Sequence, residues 1–111
     1  MSPVMRAERI VSMAKVILTI QYEIEEGKRE EYLKVVEQLK QHYAANEHVT
    51  YSVFEQKRRK NAFFETFTAA TEEAFDKFEE SNDEIADKLT EQLTRLIKDG
   101  KAKYATYVET N

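Results

Sequence analysis

Hydrophobic and polar residues alternate from residue 16 to residue 24, which is the pattern of a β-strand with one apolar face. From residue 28 the apolar side chains recur instead at helical spacing, among lysine, glutamate and glutamine. The apolar positions of the strand are Val16, Leu18, Ile20, Tyr22 and Ile24. Those of the helix are Tyr32, Val35, Val36, Leu39 and Tyr43. The first two elements are therefore predicted to be a strand and a helix of about four turns that ends near Asn46.

Two further strands are predicted over residues 49–56 and 62–69, where β-branched and aromatic residues dominate. The polar residues 57–61 between them are typical of a hairpin connection. Residues 57–60 are Lys-Arg-Arg-Lys, and we interpret this basic run as a solvated hairpin tip in preference to a phosphate or anion contact.

A second helix is predicted to begin after Thr71, whose hydroxyl can accept a hydrogen bond from a free amide of the first turn. Within it, Ser81-Asn82-Asp83 predicts either a kink or a new helix cap. An apolar stripe continues to Ile97, and Asp99-Gly100 is expected to end the helix. Residues 103–109 alternate again and predict a fourth strand.

The order of elements is strand, helix, strand, strand, helix, strand, which predicts an α+β fold of the ferredoxin-like βαββαβ type. Its four-stranded antiparallel sheet carries the two helices on one face. The opposite face would hold a set of residues too apolar to leave in water and too polar for an ordinary core. These residues are Ile17, Thr19, Thr50, Phe54, Phe64, Thr66 and Tyr107. We therefore predict a homodimer in which two sheets face each other.

The length of 111 residues is typical of one domain, and we predict an N-terminal arm over residues 1–14 and a single domain over residues 15–111. The net charge of -4 is spread along the chain without a basic stripe, so binding of nucleic acid is not expected. No apolar run has the length of a signal peptide or a membrane span. We expect a soluble, cytoplasmic protein that does not bind membranes.

Few residues offer metal or nucleophilic chemistry. The chain has no cysteine, which excludes disulfides, thiolate metal sites and cysteine nucleophiles. His42 and His48 lie six residues apart across a predicted helix end, so we assign them surface or boundary roles and predict no metal site. With only two glycines, and no nucleophile-elbow context around Ser52 or Ser81, a phosphate cradle and nucleophilic hydrolysis lack support. We predict that the protein uses no cofactor.

Glu65 is the most informative acidic residue, because it occupies a position of the third strand where an apolar side chain is expected. Its neighbours on that face are Phe63, Phe67 and Ala69. If this face is turned toward the helices, desolvation could raise the pKa of the carboxyl and make it a proton acceptor. Two structural explanations stay open, namely a one-residue bulge or a lysine or arginine partner.

Three segments resemble the dimeric α/β-barrel superfamily, and within it the antibiotic-biosynthesis-monooxygenase-like domains. Residues 26–33, Glu-Gly-Lys-Arg-Glu-Glu-Tyr-Leu, resemble the Gly-Lys turn that opens the family's acidic amphipathic helix. Residues 71–76, Thr-Glu-Glu-Ala-Phe-Asp, resemble its capped second helix, and the spacing of the hairpin between them agrees. These segments encode caps, turns and packing, so they indicate the fold rather than an activity.

Two features of the family pattern are missing. Members that degrade haem or oxidise quinones commonly have a tryptophan at the end of the third strand, where this chain has Ala69 and no tryptophan anywhere. Many also have a histidine on the second helix, and the corresponding helix here has none. The resemblance therefore implies no haem chemistry for this chain.

The resemblance implies one apolar pocket per subunit, between the sheet and its helices, for a small aromatic or quinol-type compound. We expect Tyr22, Tyr51, Glu65, Phe67 and Phe78 to line it. In cofactor-independent members the electron-rich substrate itself activates oxygen, so Glu65 would serve as the base. Tyr22 and Tyr51 could equally anchor the core. The alternative is a non-catalytic ligand-binding or assembly module of the same fold, which a closed and fully packed interior would favour.

Overall fold

A four-stranded antiparallel sheet organises the computed structural model, which describes residues 13–110. The elements in chain order are β1 (Val16–Ile24), α1 (Arg29–Tyr43), β2 (Thr50–Glu55), β3 (Ala62–Ala69), α2 (Glu72–Glu80), α3 (Glu84–Thr94) and β4 (Ile97–Val108). The strand order in the sheet is β2-β3-β1-β4, and all neighbours are antiparallel. This is the ferredoxin-like order, so the predicted α+β fold is confirmed.

The core lies between the helices and one face of the sheet. In α1, each residue of the apolar stripe predicted from helical spacing is buried. In β3, burial alternates along the strand, and the helix-facing side chains are Phe63, Glu65, Phe67 and Ala69. Leu18 and Ile20, at the centre of β1, pack against this core and stay partly exposed. The helices thus cover the β3 side of the sheet more completely than the centre of β1.

The second predicted helix is divided into α2 and α3, as one of its two alternatives foresaw. The Thr71 hydroxyl accepts a hydrogen bond from the Ala74 amide at 3.0 Å and caps α2. Asp83 caps α3 by accepting from the Ala86 amide at 3.1 Å. The other carboxylate oxygen of Asp83 lies 2.7 Å from Nε2 of His42 in α1, and this contact holds the pKa of Asp83 below its usual range. Asp83, between α2 and α3, therefore holds the start of α3 against α1.

The fourth strand is longer at its start than residues 103–109, the predicted span. β4 begins at Ile97, which pairs with Ile24, whereas the next pair joins Ala102 to Tyr22. The extra residues form a bulge in which Asp99 and Gly100 have φ values of 55° and 63°. Asp99-Gly100 therefore does not end the helix. That dipeptide favours the left-handed region, which a strand bulge uses as readily as a helix terminus does.

The hairpin between β2 and β3 is fastened to the start of α1. Arg29 donates two hydrogen bonds to Glu55, at 2.5 and 2.7 Å, and a third to Oδ1 of Asn61 at 3.0 Å. This ion pair lowers the pKa of Glu55 to about 2. At the hairpin tip, Arg59 forms an ion pair with Glu23 of β1. Part of the predicted basic run is thus engaged with the sheet.

The other sheet face has no covering element among residues 13–110. The strand pairings place Ile17, Phe54, Phe64 and Tyr107 on it together, as predicted. Phe54 is 56% exposed and Tyr107 is 59% exposed. This uncovered apolar surface is called the open face below.

Most of the predicted arm, residues 1–14, lies outside the described residues. Its last two residues are described, and Ala14 is already buried while Met13 is exposed. Among residues 13–110, no helix combines the length and the apolar character that crossing a membrane requires.

Candidate functional site

Glu65 lies in the middle of β3 with its side chain under the helices. Its exposed fraction is 5%, which is as low as that of its apolar neighbours Phe63 and Phe67. In the sheet it pairs with Ile20 of β1 and Val53 of β2, and the register on both sides is unbroken. A bulge in β3 therefore does not explain the buried acid, and the face predicted from strand parity is correct.

A tyrosine, rather than a cation, is the partner of this carboxyl group. The Tyr51 hydroxyl donates a hydrogen bond to Oε2 of Glu65 at 2.5 Å. Within residues 13–110, no lysine, arginine or histidine nitrogen lies within 4.0 Å of the Glu65 carboxylate. A salt bridge to lysine or arginine, the second structural explanation, is therefore not formed within the described residues.

Burial raises the pKa of Glu65 above its usual range, because the charged form loses its hydration. The hydrogen bond from Tyr51 acts in the opposite direction, since it stabilises the carboxylate, and the nearby Tyr22 hydroxyl does the same. Desolvation is the larger influence, so the net direction is upward. A carboxyl of this kind takes up a proton more readily than one on the surface, as a general base near neutral pH must.

Two more tyrosines surround this group. The hydroxyls of Tyr22 and Tyr32 lie 2.7 Å apart, and Tyr32 has no exposed surface. Tyr43 stands beside Tyr51, with ring centroids 5.2 Å apart. Burial is the first cause that raises the pKa of each of these phenols, and the Glu65 charge adds to it. All four tyrosines therefore stay neutral over the physiological pH range.

Tyr32 and Tyr43 were predicted only as members of the apolar stripe of α1. Their spacing reveals that they face the sheet, and that part of the prediction is correct. It does not reveal that the Tyr32 hydroxyl lies 2.7 Å from that of Tyr22, or that the charge of Glu65 on β3 acts on both phenols. The available signal was the tyrosine itself, because a buried phenol usually finds a polar partner.

An aromatic wall completes the site. The ring of Phe67 stacks on Phe78 of α2 at 5.3 Å between centroids, and it lies 4.9 Å from Tyr51. Tyr43 also contacts Phe67 edge-on at 5.2 Å. The structure thus brings four predicted residues, Tyr51, Glu65, Phe67 and Phe78, into one cluster. The fifth, Tyr22, lies on the same sheet face beside Phe63 of β3, and its hydroxyl is 2.7 Å from that of Tyr32.

The interior around this cluster is packed. Three clefts in the part of the chain that the structure describes are not lined by Tyr51, Glu65, Phe67 or Phe78, whereas Tyr22, the fifth predicted pocket residue, lines one of them. One, of about 650 Å³, lies where the open face meets the β4 bulge and includes Phe54, Phe64 and Lys101. The described residues also contain no group of three or more histidine, aspartate or glutamate side chains that could hold a metal ion.

The direction of the Glu65 pKa fixes the sign of a pH effect on stability. A carboxyl whose folded pKa is raised binds its proton more tightly in the folded state. The free energy of unfolding therefore falls as pH rises from about 4.3, the ordinary glutamate value, through the folded pKa. Glu65→Gln removes this titration and keeps an oxygen for the Tyr51 hydroxyl. We expect the stability of the parent relative to this variant to fall as pH rises above about 4.3, in urea unfolding experiments.

Glu79→Gln, on an exposed position of α2, is the matched control, and its difference from the parent should stay flat over the same range. A Glu65→Gln protein that is less stable by on the order of 3 kcal/mol at every pH would contradict this account, because that loss indicates a stranded buried cation.

The sequence matches no protein-family model and no curated protein. Its fold, however, is shared by solved structures. A conserved protein from Methanosarcina mazei superposes with a TM-score of 0.76 at 14% identity, covering 92% of this chain and 99% of its own. SnoaB, a cofactor-independent oxygenase from Streptomyces nogalater, gives a TM-score of 0.69 at 10% identity, covering 88% and 95%. A protein described as an antibiotic biosynthesis monooxygenase gives 0.72 at 11% identity, covering 86% and 99%. The chain therefore has the fold of the antibiotic-biosynthesis-monooxygenase-like proteins that its sequence resembles.

Proposed function

We propose that this protein binds a small phenolic or quinol-type compound on the helix-covered face of its sheet and acts on it as a cofactor-independent monooxygenase, with Glu65 as the proton acceptor. The observation that carries the proposal is a carboxyl buried to 5% exposure with a tyrosine partner and no cation among the described residues. A buried acid without a cationic partner is unfavourable for the fold, and such groups concentrate at functional sites. The fold it shares with an oxygenase supports the same reaction class.

The incompletely covered centre of β1 supplies the approach to Glu65. Ile20 pairs with Glu65 on one side and with Tyr104 of β4 on the other, so these three side chains form one row across the sheet. Exposure increases along the row, from 5% at Glu65 through a partly exposed Ile20 to 64% at Tyr104. A ligand would enter along this row and displace the aromatic rings that now fill the inner end.

The chemistry requires only the substrate and oxygen. Removal of the phenolic proton by Glu65 makes the ring electron-rich enough to transfer electrons to O₂. One oxygen atom then forms a carbonyl at a ring carbon, and the other leaves as water with two hydrogens of the substrate, one from that ring carbon and one from the phenolic hydroxyl. Because the substrate supplies both hydrogens and all four electrons that O₂ takes up, no external reductant is needed. The protein's part is to take up the proton, exclude water and orient the ring.

A non-catalytic binding or assembly module is the second candidate, and the packed interior favours it. None of the three clefts reaches Glu65, so a bound ligand must first open the aromatic cluster. We rank the enzyme first because a proton acceptor requires a buried acid without a cationic partner, and a binding module has no such requirement.

Oxygen uptake separates the two candidates. With hydroquinones as substrates, we expect the parent protein to consume oxygen faster than a protein-free control. Glu65→Gln should lower that rate by about a hundredfold or more, since it removes the proton acceptor. Glu79→Gln should retain the parent rate. Binding of hydroquinones by the parent without any oxygen uptake above the control would leave the binding module as the function.

We also propose that the partner of this chain is a second copy, paired through the open face. The apolar side chains Ile17, Phe54, Phe64 and Tyr107 lie there together, and a second sheet offers the same surface in return. A contiguous apolar surface of this kind is costly to leave in water.

Light scattering at micromolar concentration tests the pairing. The parent should have the mass of two chains, and Phe54→Lys should shift it toward one, because the added charge would be buried in the interface. Tyr104→Lys is the matched control, since Tyr104 is similarly exposed but lies on the opposite sheet face. A monomeric parent at high concentration, or equal dissociation by both variants, would exclude this interface.

A further inference from the structure

Helix α2 is attached to the rest of the domain by apolar contacts. Its side chain Phe75 is buried and Phe78 is partly buried, and both pack against the core. The Phe78 ring stacks on Phe67 of β3 and lies 6.2 Å from that of Tyr43 in α1, between centroids. Within residues 13–110, no hydrogen bond or ion pair joins α2 to another helix or strand. Aromatic packing is therefore the main interaction that holds α2 in place.

The other two helices are also held by polar contacts at their starts. Arg29 at the start of α1 donates two hydrogen bonds to Glu55, and Asp83 before α3 contacts His42 of α1 at 2.7 Å. Helix α2 has nine residues, and a helix shorter than about 12 residues is marginally stable by itself in water. Once its rings leave the core, α2 should therefore unwind, whereas α1 and α3 stay folded.

The chain is fixed on both sides of α2. Ala69, at the end of β3, has no exposed surface, and Asp83 caps the start of α3. Between these two points, Thr71 and Ser81 at the ends of the helix have extended backbone angles. Residues 70–82 can thus leave the sheet without moving β3 or α3.

Below α2 lie the aromatic side chains of the candidate site. Phe78 stacks on Phe67, and Phe67 is also 4.9 Å from Tyr51, between ring centroids. The Tyr51 hydroxyl in turn donates to Glu65. Resting on the function proposed above, we propose that α2 is a lid, which detaches from the sheet so that the ring of an aromatic ligand replaces Phe78 on Phe67. The packed interior around Glu65 is then the closed, ligand-free form of the site.

Native-state hydrogen exchange tests whether α2 opens independently of the rest of the domain. We expect the amides of residues 76–80 in α2 to exchange at least about tenfold faster than those of residues 35–39 in α1, after correction for sequence. Their exchange should also depend little on urea, because release of one short helix exposes little surface. Equal exchange in both helices, with the urea dependence of global unfolding, would overturn the proposal.

Thr71→Ala weakens the closed form without changing a ring of the site. The Thr71 hydroxyl accepts from the Ala74 amide only while α2 is folded, so its loss should raise the exchange rates of α2 about fivefold and leave those of α1 unchanged. Because the ligand binds the open form, its apparent affinity should rise by the same factor. The probe is hydroquinone in the absence of oxygen, followed by the chemical shifts of backbone amides around Glu65. Thr71→Ser, which keeps the hydroxyl, is the matched control and should behave as the parent does.

The two measurements separate failure of the lid from failure of the proposed function. Hydroquinone binding with an affinity that Thr71→Ala lowers or leaves unchanged would contradict the lid and leave the proposed function in place. If hydroquinone shifts no amide near Glu65 in any of the three proteins, the proposed function fails, and the entry of this ligand beneath α2 fails with it. Independent exchange of α2 together with tighter binding by Thr71→Ala supports the lid.

Discussion

A carboxylate enclosed by phenols and hydrocarbon, without a cation, is the constraint around which the helix side of this sheet is arranged. Burial of Glu65 opposes its charge, and the hydrogen bond from Tyr51 offsets only part of that penalty. The surrounding tyrosines are neutral and contribute dipoles, not charges. The aromatic wall of Phe67 and Phe78 keeps the local dielectric low, which strengthens both the penalty and the hydrogen bond. Removing water from this group raises its affinity for a proton, which is the property that the proposed role as a base requires.

A second carboxyl on the same hairpin shows how strongly the surroundings determine the pKa of a glutamate. Glu55 ends β2 and accepts two hydrogen bonds from Arg29, and its pKa falls to about 2. Glu65, ten residues later, has a phenol for a partner and its pKa rises. Glu55 fastens the hairpin to α1, whereas Glu65 holds a proton more tightly than a glutamate on the surface does. Opposite shifts in two acids of one sheet mark different tasks.

Sequence pattern predicted the position of Glu65 but not its partners. Parity along residues 62–69 places this acid with the buried phenylalanines, because a strand alternates its faces whatever the tertiary contacts are. Its bond to Tyr51 follows from the strand register and from side-chain packing, which single-strand patterns do not contain. Asp99-Gly100 shows the same limit, since its left-handed preference suits a helix end and a strand bulge equally. The sequence predicts a feature that depends on one element, such as the sheet face on which Glu65 lies. It does not predict a contact between two elements, such as the bond from Tyr51 to Glu65.

The pKa of Glu65 in the folded protein tests this account most directly. Its side-chain carboxyl carbon can be followed by ¹³C NMR across a pH titration, with the signal assigned by its disappearance in Glu65→Gln. The account predicts a midpoint clearly above about 4.3, the value of an unperturbed glutamate. A midpoint at or below that value would mean that a cation or a set of hydrogen bonds stabilises the charge, and that Glu65 is a structural anion instead of a proton acceptor.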